Sequence, residues 1–220
     1  MGTRLSKVVS DRPKVMAEIN GNPFLYYLLD QLAETDIERV IISTGYMAYA
    51  VEKRIGSSYR SLQVKYYKEE NPLGTGGALK LAGQTVDSKQ YLVMNGDSYT
   101  EFDPILFFMT HKQKNANITI LVKAVSNTSR FGTIQMNEQN EINKFMEKER
   151  RTGTGLINAG VYIMNPSVFQ EIPEKIPCSL EYDFFPFMIG KGIYGYETEG
   201  KFIDIGTPES YANASRFLNN

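Results

Sequence analysis

The chain has 220 residues, and its 24 Lys plus Arg balance 25 Asp plus Glu to a formal charge of −1, which speaks against a protein that coats nucleic acid. With 42% hydrophobic residues, including 14 Tyr and 12 Phe, it can bury one sizeable core or a core with a small appended lobe, and disorder is excluded for most of its length. Its one cysteine, Cys178, has no internal disulfide partner, and with His111 as the only histidine neither a zinc site nor a Ser-His-Asp triad is expected.

Pro23 to Leu32 carries apolar residues at helical spacing and leads to Arg39 to Ser43, a short β-branched run closed by Thr44-Gly45, so helix then buried strand is predicted. Met47 to Ile55 suits a second helix, Leu62 to Tyr67 alternates like a strand, and Gly74 to Leu81 reads as a glycine turn feeding a helix. Gln90 to Asn95 is an apolar strand ending in Gly96-Asp97; Pro104 opens a helix and Ile118 to Val125 forms the next strand. Alternation of this kind favours a parallel sheet covered on both faces. From Gly132 the pattern changes: Gly132 to Met136, Ile142 to Lys148 and Leu156 to Met164 are strand-like runs split by polar turns, as in an antiparallel lobe. Helix returns at Tyr182 to Ile189, strands at Ile193 to Glu197 and Lys201 to Ile205, and a last helix starts at Pro208. His111 is expected at the surface, and Cys178 with the aromatic run Tyr182, Phe184, Phe185 and Phe187 in the core. The expected architecture is one α/β unit: a Rossmann-like mixed, mainly parallel sheet flanked by helices, with a smaller antiparallel lobe. No apolar run approaches the roughly twenty residues of a membrane span, and no basic stretch followed by an apolar one opens the chain, so a cytoplasmic protein without a membrane partner is expected.

Several stretches have the residue types that handle phosphates, and each has a plain structural alternative. Gly2-Thr3-Arg4-Leu5 and Arg12-Pro13-Lys14 gather glycine amides and cations that suit phosphate oxygens, or form a solvated terminus. Pro72-Leu73-Gly74-Thr75-Gly76-Gly77 lets the main chain approach a planar base or a phosphate, or simply makes a tight loop. Asp97 follows a buried strand and Asp204 precedes Gly206-Thr207 in the same manner; two carboxylates at strand ends can share a hard cation such as Mg²⁺, or sit in Asx turns. Asn158-Ala159-Gly160 places an amide inside an apolar strand, where sugar hydroxyls or neighbouring backbone can satisfy it.

Taken in order, Gly2-Thr3-Arg4-Leu5, Pro13-Lys14, Pro72 to Gly77, Asn95-Gly96-Asp97, Glu147-Lys148, Asn158-Ala159-Gly160 and Asp204 to Thr207 resemble the sugar-1-phosphate nucleotidyltransferase family across essentially the whole chain. Within it, Ser10 to Asn20, Glu69 to Ala78 and Gly155 to Asp183 look most like guanylyltransferases that act on D-glycero-D-manno-heptose 1-phosphate, with mannose or glucose 1-phosphate and another triphosphate as the alternative substrates. The chain ends in the helix from Pro208 without a hexapeptide solenoid, as a bare catalytic domain would. The resemblance implies attack of a sugar 1-phosphate oxygen on the α-phosphorus of a nucleoside triphosphate, GTP favoured, with release of pyrophosphate. By the same resemblance Asp97 and Asp204 hold Mg²⁺, and Arg4 and Lys14 neutralise the triphosphate. Gly2 and Thr3 cradle it, and Gly74, Thr75 and Gly76 face the base and ribose. Lys148 binds the sugar phosphate, and Glu147, Asn158 and Gly132 read sugar hydroxyls. The acceptor for guanine stays open between Glu69 or Glu70 and backbone groups.

The match departs from the family at its start, where an apolar strand and a Gly-Gly-x-Gly-Thr-Arg-Leu loop are usual and this chain begins at the x position with Met1. Met1 is therefore expected to be an internal codon of a longer frame, or a point at which the chain was cut. Val15 stands where Pro is usual, and Glu149 follows Lys148 where Pro is frequent. An impaired phosphate loop would fit a non-catalytic nucleotide-sugar-binding protein as the competing class.

Overall fold

The computed structural model describes residues 12–45, 47–85, 87–146 and 153–218. In chain order they form β1 (Glu18–Ile19), β2 (Asn22–Pro23), α1 (Phe24–Ala33), β3 (Arg39–Thr44), α2 (Ala48–Ile55), β4 (Ser58–Tyr59), β5 (Leu62–Lys68), α3 (Gly74–Gly83), β6 (Tyr91–Met94) and β7 (Ser98–Thr100). Then follow α4 (Pro104–Gln113), β8 (Ile118–Val125), β9 (Thr133–Met136), β10 (Ile142–Met146), β11 (Gly155–Met164), α5 (Val168–Glu171), β12 (Ile193–Glu197), β13 (Phe202–Asp204) and α6 (Pro208–Phe217). The predicted order of helices and strands holds to within a few residues, except over Tyr182 to Ile189. There a π-helical turn, Leu180–Phe184, and a single 3-10 turn, Pro186–Met188, replace the expected helix. Pro186 explains the break, because it has no N–H to continue the helical ladder, although Phe185 before it keeps helical angles. Two compact units result: Met1–Pro72 with Gly96–Tyr99 and Ile203–Asn220, and Leu73–Asn95 with Thr100–Phe202.

In the first unit β3 and β5 pair in parallel, from Arg39 opposite Gln63 to Thr44 opposite Lys68, and β4 adds antiparallel to β5. The spacing of Phe24, Leu25, Leu28 and Leu29 gives α1 one buried face, and Ala48, Val51 and Ile55 do the same for α2. The last helix starts on a reciprocal cap: Thr207 Oγ1 accepts from Ser210 N, and the Ser210 hydroxyl accepts from Thr207 N. Tyr211 then donates its hydroxyl to the Glu18 carbonyl at 2.6 Å, tying α6 to the β1–β2 hairpin.

The second unit is a six-stranded sheet ordered β10-β9-β11-β8-β12, with β6 also on β11. Alternate residues of β11 serve opposite faces: Tyr162 and Met164 join Ile118, Ile120, Phe184 and Phe185 on one side, while Ala159, Val161 and Ile163 join Leu121 and Phe107 on the other. A strand buried on both faces reads as a continuous apolar run, and Tyr162, Phe107, Phe184 and Phe185, all at 0% exposure, each contribute about 1.5–3 kcal/mol.

The mixed α/β character is as expected, but the pairing is finer-grained than a parallel sheet plus a lobe. β11 runs antiparallel to β6, β8 and β9, and among the described residues parallel pairing joins only β3 with β5 and β8 with β12. β6, α4 and β8 are still a strand–helix–strand unit with both strands pointing one way. A later strand has been inserted between them, which strand–helix alternation alone does not reveal.

His111 corrects a second expectation: it is buried at 1% exposure, not on the surface. Asn165 donates its amide to the Ala116 carbonyl and so turns Oδ1 toward the ring, leaving Nε2 as the protonated nitrogen and Nδ1 to accept from Thr119. Of the aromatic run, Phe184 and Phe185 are core, whereas Tyr182 and Phe187 are at least half exposed. Cys178 is buried as expected. No helix among the described residues is long and apolar enough to cross a membrane.

Burial pushes the His111 pKa down from its ordinary 6.5, with the Asn165 hydrogen bond opposing in part. The unfolded chain therefore binds a proton that the fold refuses, so this stability is complete above pH 6.5 and is lost as pH falls through the depressed native value. Urea midpoints measured from pH 7.5 down to 5 should fall for the native chain, and His111→Gln should flatten that slope; equal slopes would show that the ring is not held neutral.

Candidate active site

In the first unit the turn Lys14–Met16 brings Lys14 Nζ to 2.7 Å from Asp97 Oδ2, the two side chains being 19% and 40% exposed. Gly96 permits this approach, because a Cβ there would lie 3.0 Å from Val15 Cγ1. Asp97 lies in the turn before β7, and its carbonyl accepts from Ile205 N at 3.0 Å where β7 pairs with β13, so Asp97 and Asp204 lie on adjoining segments of one two-stranded sheet. Asp204 Oδ1 accepts from Gly206 N at 3.0 Å, the Asx turn that holds this carboxylate at its strand end. A partly exposed ion pair such as Lys14–Asp97 is worth about 0–1 kcal/mol, so it does little for the fold; its content is the placement of an ammonium beside hard oxygen donors.

Asp97 departs from one expectation. The strand that precedes it, β6, pairs antiparallel with β11, so this carboxylate follows a strand with no parallel neighbour among the described residues. No group of three or more His, Cys, Asp or Glu side chains gathers as a metal site among the described residues. A pair of carboxylates is nonetheless what a hard cation takes from a protein when phosphate oxygens and waters complete its shell.

In the second unit the Asn158-Ala159-Gly160 interruption is a bulge. Asn158 faces Val122 and Tyr162 faces Ile120, so Ala159, Gly160 and Val161 stand opposite Leu121 alone. The left-handed φ of +78° at Gly160 makes the fold possible, and Gly160 N donates to Asn158 Oδ1 at 2.9 Å. Asn158 Nδ2 donates to the Tyr162 hydroxyl at 2.9 Å, leaving one N–H and one lone pair of the amide for a further partner. The bulge also accepts from β6 and β7: Asn95 N donates to the Gly160 carbonyl at 2.7 Å, and Thr100 Oγ1 to the Ala159 carbonyl at 3.0 Å.

The glycine segment is packed against its own chain. Gly76 N donates to the Cys178 carbonyl and Cys178 N to the Leu73 carbonyl, both at 2.8 Å. A Cβ on Gly74 would collide with the Cys178 backbone, and one on Gly76 would lie 2.8 Å from Cys178 Sγ. Two glycines expected at a nucleotide thus have a steric reason of their own. Rather than a loop ahead of the helix, Gly74 to Gly77 form the first turn of α3 itself. Thr75 Oγ1 accepts from Leu180 N at 2.8 Å and donates to Glu181 Oε2 at 3.2 Å, a contact that sequence reasoning missed. The available signal was Ser179 ahead of Glu181 and Asp183, a helix-start pattern. Burial lifts the Cys178 thiol pKa, and the Ser179 amide and Lys175 hold Asp183 below the usual carboxylate range.

Lys14, Asp97 and Asp204 are therefore gathered in one unit, and Gly74, Thr75, Gly76, Asn158 and Gly132 lie in the other, where a Cβ on Gly132 would be 3.1 Å from the Met146 carbonyl. Gly2, Thr3, Arg4, Glu147 and Lys148 lie outside the described residues.

A mixed α/β chain that sets a lysine on one of two strand-end aspartates has the parts of a phosphate-handling enzyme, and it belongs to the nucleotidyl transferase family, whose model matches residues 1–220. It is 36% identical to D-glycero-alpha-D-manno-heptose 1-phosphate guanylyltransferase of Aneurinibacillus thermoaerophilus, covering 99% of this chain and 94% of the relative. Mannose-1-phosphate guanylyltransferase of Mycobacterium tuberculosis is 34% identical over 99% of this chain and 62% of its own length. The crystal structure of HddC from Yersinia pseudotuberculosis complexed with GMP-PN superposes with a TM-score of 0.85 at 33% identity, covering 98% of this chain and 94% of that one.

The Gly74 conformation supplies a stability test. Gly74 and Gly56 share a φ of +76°, but nothing lies within 4 Å of a Cβ on Gly56. Gly56→Ala should cost about 1–3 kcal/mol for its backbone alone, since φ +76° with ψ −159° is a region that essentially only glycine occupies. Gly74→Ala should cost clearly more, roughly 2–4 kcal/mol by urea unfolding, because the Cys178 backbone must also move. Equal costs would mean that the Cys178 contact is not rigid.

Proposed function

We propose that this chain is a sugar-1-phosphate guanylyltransferase that joins D-glycero-D-manno-heptose 1-phosphate to GTP, forming a GDP-sugar and releasing pyrophosphate. The observation that carries the reading is the end-to-end similarity to a heptose 1-phosphate guanylyltransferase. Mannose 1-phosphate is the second reading, favoured by the 34% identity to a mannose-1-phosphate enzyme. All 220 residues act as one catalytic domain, in the cytoplasm, where nucleoside triphosphates are available.

The chemical obstacle is charge, since a sugar phosphate dianion must approach a triphosphate. A phosphate oxygen of the sugar forms a bond to the α-phosphorus of GTP while the bond to the β-phosphate oxygen breaks and its electron pair leaves with pyrophosphate. No covalent enzyme intermediate is needed, so catalysis rests on positioning and on neutralising charge. Lys14 and Arg4 supply positive charge to the triphosphate, and Gly2 and Thr3 supply backbone donors. Asp97 and Asp204 are the two oxygen donors that would hold a divalent cation, Mg²⁺ in this reading, which draws charge off the phosphates when bound. Their hard carboxylate chemistry and their placement at adjoining strands fit that ion.

Base recognition falls to the backbone of Gly74 and Thr75, because the only proton of the Thr75 hydroxyl is directed to Glu181 and Gly76 N donates to the Cys178 carbonyl. Asn158 has one N–H and one lone pair left for a sugar hydroxyl, with Gly132 and Glu147 assigned to other hydroxyls and Lys148 to the sugar phosphate.

Pyrophosphate release across GTP, ATP, UTP and dTTP with heptose, mannose and glucose 1-phosphates should peak at GTP with the heptose. No release with GTP and any sugar 1-phosphate would end the reading. Asp97→Asn and Asp204→Asn should each lower kcat by about 100-fold or more with unchanged urea midpoints, the scale of losing a charge-stabilising group. Retained turnover in either variant would remove that carboxylate from the mechanism.

A further inference from the structure

The first turn of α3 is held by a segment distant in sequence. Asp103 caps α4 and Thr207 caps α6 with their own side chains, whereas Leu73, at the start of α3, makes no such bond. The segment from Cys178 to Glu181 does the work instead. Its backbone exchanges two hydrogen bonds with Leu73 and Gly76, and Leu180 N donates to Thr75 Oγ1. Glu181 Oε2 then accepts from two hydroxyls, Thr75 at 3.2 Å and Ser179 at 2.9 Å. Ser179 is fixed in turn, since its N–H donates to Asp183 Oδ2 at 2.8 Å while Asp183 Oδ1 receives Lys175 Nζ at 3.0 Å.

We propose that Glu181 is a positioning residue for nucleobase recognition: its carboxylate locks the Thr75 hydroxyl so that the Gly74–Thr75 backbone meets the base in one conformation. This rests on the guanylyltransferase reading above. The argument is one of donor inventory. A hydroxyl has one proton, and a carboxylate is among its strongest acceptors. With that proton committed, the Thr75 hydroxyl is withdrawn from the base, and since Gly76 N already donates to the Cys178 carbonyl, the Gly74 and Thr75 amides do the reading. A peptide group cannot rotate independently of its neighbours, so its aim is only as good as its anchor. The Cys178 bonds and the buried core survive removal of Glu181, so accuracy of recognition should suffer and not the fold.

The test compares Glu181→Ala, Glu181→Gln, Thr75→Val and Thr75→Ser in steady-state turnover of GTP with the preferred sugar 1-phosphate. Hydrogen exchange at the amides of residues 74–77 is followed in parallel. Glu181→Ala should raise KM for GTP about tenfold, the scale of one to two lost charge-assisted bonds, with kcat and the sugar-phosphate KM within about twofold. Glu181→Gln keeps an oxygen that accepts from both hydroxyls and should stay near the native enzyme. Thr75→Val should match Glu181→Ala, Thr75→Ser should recover, and the double variant Thr75→Val/Glu181→Ala should be no worse than either alone. A rise in the sugar-phosphate KM, a fall in kcat without a KM change, or a Glu181→Gln as impaired as the alanine variant would overturn the proposal. If Glu181→Ala does not fold, the Thr75 pair decides alone. Should the native enzyme turn over no GTP, the substrate reading and the nucleobase role both fall; unchanged amide exchange in an active Glu181→Ala would overturn the anchor alone.

Discussion

The second unit is organised by the demand that β11 satisfy its backbone on both edges while its side chains are buried on both faces. Pairing with β8 on one side and with β6 and β9 on the other meets the first demand, and the apolar run Val161 to Met164 meets the second. The single break in that strand is the Asn158–Gly160 bulge, where Asn95 and Thr100 reach the freed carbonyls. Asn95, whose N–H holds the Gly160 carbonyl, is followed directly in sequence by Gly96 and Asp97.

Most of the secondary structure was legible because it obeys simple periods. Ile118 to Val125 and Ile193 to Glu197 are observed with the expected bounds, and α1 and α2 start within a residue of theirs. What could not be read was pairing between distant strands. Nothing local in Leu156 to Met164 tells whether it lies beside Ile142 to Met146 or between the two strands of an earlier β–α–β unit. The burial of His111 was hidden for a related reason, since Thr119 and Asn165, the groups that satisfy its ring, come from β8 and from the end of β11. Two-residue strands such as β1 and β4 are too short to show alternation at all.

The candidate site divides along the same line. Asp97, Asp204 and the Asn158 amide were visible because polar residues at the ends or in the middle of apolar strands are conspicuous. The structure adds which groups each already satisfies, and that inventory limits what remains for a substrate: all of one hydroxyl proton on Thr75 is taken, half of the Asn158 amide is not. Glu181 escaped notice because the helix-start pattern around Ser179 marks a local cap and says nothing of a contact with a residue more than a hundred positions away.

The position of Cys178 has a practical side. The chain's one thiol is sealed beneath the first turn of α3, and its backbone is bonded to that turn at both ends. An alkylating reagent can reach it only when those contacts open, so the rate of its modification in the native protein is a built-in clock for excursions of the glycine segment, requiring no label, no second cysteine to remove and no substrate in hand.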